Sequence, residues 1–191
     1  MQYQEAEKFI QNLLQSELPE SLYYHNYQHT LEVLNAAIEI ADGENITGED
    51  LVLLKTAALF HDSGFVTVYQ DHEEEGCRMA HQHLPHYDYS GEQIEKICTL
   101  IMATKTPQNP QTHLERILCD ADLYYLGTDN FKTNGMKLFR EWKARGKVET
   151  EEAWNLMQIK FLEMHRYLTK SAIANREKKK EEHLLKLKES V

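Results

Sequence analysis

Few residues in this chain interrupt a helix. Among 191 residues there are 4 Pro and 8 Gly, too few to supply the turns of an all-β fold. Cysteine is scarce too. Cys77, Cys98 and Cys119 stand singly, form no CxxC pair and make an odd count, which argues against a zinc-type motif and fits reduced cytosolic thiols. No apolar run approaches the length of a membrane span, and the opening residues, Met1 to Glu5, lack a secretory pattern. The expectation is a cytoplasmic protein without membrane association. Positive charge is in short supply: 21 Lys and Arg face 31 Asp and Glu, a formal net charge of -10. That argues against a general binder of nucleic-acid backbones. It leaves room for a small anionic substrate, because a bound cation inverts the local field.

What is present reads as helix. The 41% hydrophobic content suits one domain with a sizeable core. Ala6, Phe9, Ile10, Leu13 and Leu14 follow helical spacing, and Leu31, Leu34, Ile38 and Ala41 line one face of a second helix starting near His29. Thr47 and Asp50 resemble a capping box that opens a third helix, Leu51 to Phe60, apolar on nearly every side and therefore central. A fourth helix starts in Asp71–Gly76, and His81, His83 and His86 fall in a loop around Pro85. Capping boxes at Ser90/Gln93 and Thr112/Glu115 open a fifth and a sixth helix, the sixth carrying Asp120 and Asp122 near its middle and ending at Gly127. Further helices are expected over Phe131–Ala144, Thr150–Leu168 and Ala172–Ser190. The lysines of the last alternate with glutamates, as on a solvated face. The expectation is an all-α, single compact multi-helix bundle over residues 1–191, with a core at about 22–128 and C-terminal helices over 129–191.

Within this helical pattern the third helix ends in His61-Asp62, followed by Gly64. A charged pair at the end of a buried helix is costly unless something binds it. His29 and Asp122, on two other helices, supply the groups to surround a metal ion. Imidazole and carboxylate donors suit Mn, Fe, Co, Ni, Zn or Mg. Facing helices are a common way for bundles to hold such ions.

The ordered set His29, His61-Asp62 and Asp122 resembles the HD superfamily of metal-dependent phosphohydrolases, from about Tyr23 to Gly127. Tyr24-His25-Asn26 followed by His29 is similar to the YHNxxH segment of cyclic-nucleotide phosphodiesterases, and Ala121-Asp122-Leu123 to the segment carrying the last ligand. The resemblance implies an HD-domain fold with one divalent metal on His29, His61, Asp62 and Asp122. It implies that Asp62 also orients the attacking water and that His25 protonates the leaving group. His72 resembles the extra histidine of two-metal members. The stretch where those members carry a later histidine, Ile101-Met102-Ala103-Thr104, has none, so one ion is expected, with His72 a pocket residue or partial second-site ligand. Lys105 is a substrate-phosphate candidate, and Asp120 a weaker site candidate because it points elsewhere on its helix.

The implied function is hydrolysis of a nucleotide or related small phosphate ester. Two alternatives stand beside it: a non-catalytic nucleotide-binding regulatory module, and a di-iron oxygenase. Plainer readings exist for single residues. His25 and His72 could face solvent, Lys105 could be a solvated loop lysine, and Tyr23, Tyr24, Tyr27, Tyr124 and Tyr125 could serve packing. The residues leave oligomeric state open, a homo-oligomer included.

Overall fold

The computed structural model describes residues 1–190. Among them no strand occurs, and the expected all-α bundle is what the chain forms. The helices are α1 (Tyr3–Glu17), α2 (Tyr27–Gly43), α3 (Gly48–Phe60), α4 (His72–His83), α5 (Gly91–Ala103), α6 (His113–Asp122), α7 (Phe131–Ala144), α8 (Glu151–Met164), α9 (Lys170–Ala172) and α10 (Lys178–Glu189). A π-helical segment, Ile173–Glu177, joins the last two without a break. Three short 3-10 turns, Ser63–Val66, Leu84–Tyr87 and Tyr124–Gly127, link others. No helix among the described residues is long and apolar enough to cross a membrane.

α3 is the axis of the bundle. It packs against α1, α2, α4, α5 and α6, so Leu53, Leu54, Ala57, Ala58, Leu59 and Phe60 are at most 1% exposed. Burying a side chain the size of Phe60 is worth roughly 1.5–3 kcal/mol. This all-round burial fixes where α3 ends, and so where His61 and Asp62 lie. Gly64 then permits a close crossing, because a methyl group there would overlap the His72 carbonyl. The start of α4 is thereby brought against the end of α3.

Local signals mostly set the helix starts. Ser90 accepts from the Gln93 amide and Thr112 from the Glu115 amide, each in a reciprocal capping box. Thr47 departs from expectation: it is the N-cap residue of α3, but its side chain caps nothing. His81 and His83 belong to α4, and only His86 lies in the turn that follows. α6 stops at Asp122 and gives way to the 3-10 turn, which puts Asp122 at a helix end and not mid-helix. α8 ends at Met164 and not near Leu168, because a distant carboxylate captures the chain there. Asp120 accepts from the Leu168 amide at 2.9 Å, the Thr169 amide at 2.8 Å and the Thr169 hydroxyl at 2.7 Å.

Candidate metal centre

α2 begins with Asn26 as its cap, accepting from the His29 amide at 3.2 Å. This sets His29 in the first turn, aimed inward and 4% exposed. His61 follows α3 and places Nδ1 2.8 Å from the Ala58 carbonyl. A carbonyl only accepts, so Nδ1 carries a proton and the ring turns Nε2 inward. Asp62 follows, and Asp122 arrives from the end of α6.

These four residues meet at one point. His29 Nε2 lies 3.4 Å from Asp62 Oδ2 and 3.3 Å from Asp122 Oδ1. His61 Nε2 lies 3.3 Å and 3.6 Å from the same two oxygens. Donor atoms of His29, His61 and Asp122 all fall within 4.8 Å of one another. His29 Nε2, His61 Nε2 and Asp62 Oδ2 are buried and have no hydrogen-bond partner. Three orphaned polar atoms facing one point are costly as they stand. A divalent cation with bonds of roughly 2.0–2.2 Å to nitrogen and oxygen donors satisfies all of them at once. The residues therefore fit the metal.

The electrostatics agree. Burial by itself would raise both acids, but the facing imidazoles hold Asp62 and Asp122 well below the usual carboxylate range. His61 is pushed the other way: burial would lower it, yet the nearby Asp62 and Asp122 carboxylates raise it well above an ordinary imidazole. The cluster thus keeps two negative charges in a buried space.

His72, the first residue of α4, turns to the centre and not to solvent. Its Nε2 is 3.4 Å from Asp62 Oδ1 and 3.4 Å from Glu73 Oε1. Asp62 therefore shows one oxygen to His29 and His61 and the other to His72. Phe65, at the foot of the Gly64 turn, stacks on His72 with ring centres 3.8 Å apart and lies 4.6 Å from the His25 ring. Glu73, 6% exposed, had no place in the sequence reading; only its neighbour His72 hinted at it.

His25 sits beside the cluster without joining it, its ring centre 5.9 Å from that of His29. It is gripped by Glu141 of α7, a second residue the sequence did not disclose. Glu141 is 0% exposed. Its Oε1 is 2.6 Å from His25 Nδ1 and accepts from the Tyr69 hydroxyl at 3.2 Å. Its Oε2 accepts from the Tyr24 and His25 amides at 2.9 and 3.2 Å. Burial would lower the His25 pKa, but Glu141 and the nearby Asp62 and Asp122 raise it overall. Glu141 responds in kind: burial would lift it, and the bond to His25 brings it below its usual value.

Two named candidates lie apart from the centre. Asp120 faces the Leu168–Thr169 backbone, as above. Lys105 reaches Asp71 at 2.8 Å and Glu74 at 2.5 Å in an exposed ion cluster.

The HD domain model matches residues 26–126, more than half of the 191. Bacillus subtilis YpgQ, solved in complex with ADP, superposes with a TM-score of 0.68 at 18% identity, over 100% of this chain and 97% of that one. A predicted HD superfamily hydrolase from an uncultured Thermotogales bacterium gives 0.59 at 21% identity, over 96% and 89%. None of the curated proteins matches by sequence. With the metal-ligand pattern assembled inside the matched span, the chain belongs to the HD domain family, whose members are in general metal-dependent hydrolases.

Proposed function

We propose that this chain is a metal-dependent phosphohydrolase acting on a nucleotide or a related small phosphate ester. The observation that carries the reading is the convergence of orphaned His29, His61 and Asp62 atoms with Asp122. These four residues would hold one divalent ion, which supplies an activated water and offsets charge on the phosphoryl oxygens.

The chain's own groups do the rest. Asp62 would ligate through one oxygen, while the other, facing His72, would orient the water. His25, raised in pKa and clamped at Nδ1 by Glu141, presents Nε2–H to the departing oxygen as general acid. Phe65, Tyr69 and Trp142 line the hollow that His25 and His72 share. The shared fold with YpgQ, which was solved with ADP, makes nucleotides the first class to try.

The test is a screen of purified protein with Mn, Ni, Co and Mg against generic phosphate esters and a nucleotide panel, alongside Asp62→Ala. Metal-dependent turnover is expected, lost in Asp62→Ala while helical circular dichroism persists. Full activity in that variant would sink the mechanism. No turnover with any metal, together with tight nucleotide binding, would favour the regulatory module. Two irons per chain would instead point to the oxygenase.

A further inference from the structure

Two hollows adjoin the candidate metal centre. One, of about 230 Å³, opens beside His29 and Asp122 and is lined by Glu32, Glu39 and Arg176. Its arginine is already paired with Glu39 at 3.1 Å, so the hollow is acidic. The other, of about 480 Å³, is lined by His25 and His72, by two lysines, Lys105 and Lys147, and by two acids, Asp71 and Glu73. Lys105 is neutralised by Asp71 and Glu74. Lys147 forms no ion pair among the described residues. Its ammonium rests 4.8 Å from the centre of the Tyr69 ring and 5.5 Å from that of Trp142.

The fold holds this lysine in place. After α7 the chain turns at Gly146, whose φ of 67° lies in the left-handed region. The Lys147 amide then donates to the Trp142 carbonyl at 2.9 Å. Val148, 5% exposed, anchors the turn among Phe139 and Trp154. Aromatic faces restrain a flexible ammonium without neutralising it. In a chain of net charge -10, an exposed cation without an ion-pair partner, on the wall of the hollow that His25 and His72 share, can receive an anion.

We propose that Lys147 determines substrate specificity: it receives a phosphate beyond the phosphoryl group at the metal, so the site prefers nucleoside diphosphates or longer over monophosphates. This rests on the phosphohydrolase reading for what happens at the metal, but its test does not need turnover. Affinities of AMP and of the non-hydrolysable methylene analogue of ADP are measured with Mn present, by calorimetry. The wild type should favour the diphosphate, and Lys147→Gln should cut that preference about tenfold, the worth of one charge-assisted bond. Lys147→Arg should restore it, Lys105→Ala should retain it, and added salt should weaken it. An unchanged preference in Lys147→Gln overturns the proposal, as does a wild type without preference. A wild type inactive on every ester would refute the hydrolytic reading and leave this comparison standing.

Discussion

Replacing Glu141 with glutamine separates a positioning role from a structural one. In the wild type the carboxylate meets four donors: the Tyr24 and His25 amides, the His25 ring and the Tyr69 hydroxyl. The glutamine carbonyl can keep the two amides. Its NH2 then confronts His25 Nδ1, which must turn from donor to acceptor, and the cationic ring loses its partner. A hydrogen bond to a charged group is worth about 1.5–3 kcal/mol, which in a transition state corresponds to roughly ten- to a hundredfold in rate. Losing general acid catalysis outright costs about 10²–10⁴-fold. Steady-state kinetics across pH should therefore show kcat lowered by about a hundredfold. The sign of the pH effect follows from the raised His25 pKa. The acid form persists to higher pH in the wild type, so its loss moves the alkaline limb to lower pH. Metal content by mass spectrometry should stay at the wild-type level, since Glu141 touches none of the four ligands. A kcat within threefold of wild type and an unmoved alkaline limb would refute the assignment.

Two other residues make separable predictions. Asp120→Asn weakens the clasp on Leu168 and Thr169, and should cost about 1–3 kcal/mol in denaturant unfolding with metal affinity unchanged; a loss of metal with stability intact would make Asp120 a ligand after all. His165 has its pKa lowered to about 4 by burial and by Lys180. A depressed histidine favours the fold above its unfolded pKa near 6.5 and withdraws that support as pH falls towards 4. The ceiling of this effect is about 3 kcal/mol. Chemical unfolding at pH 7 and pH 5 should show a smaller difference in His165→Asn than in the wild type, and equal differences would discard the idea.

The candidate ligand set was legible because His61-Asp62 marks the end of the most apolar helix and because His29 and Asp122 complete an ordered pattern with it, although Asp122 closes α6 instead of lying mid-helix as expected. Glu141 carries no such mark. It lies 116 residues from His25, and in sequence it is one glutamate on an ordinary amphipathic helix. Lys147 was hidden for the same reason, because the rings that hold it come from Tyr69 as well as Trp142. The early end of α8 also rests on a tertiary partner, Asp120, that no local pattern announces. His72, expected as a pocket residue or partial second-site ligand with solvent exposure as the plainer alternative, is turned inward by the close crossing at Gly64, which is visible only in three dimensions.

α6 has a consequence beyond chemistry. Successive residues on a helix are turned by about 100°, so Asp120 and Asp122 look out from nearly opposite sides of one short rod. One grips the chain leading into α9 and α10, and the other turns to the candidate metal centre. A tug on the C-terminal helices, from a neighbouring molecule or an appended segment, would swing that rod and move Asp122 with it. The far end of the chain would in this sense be a handle on any ion held there.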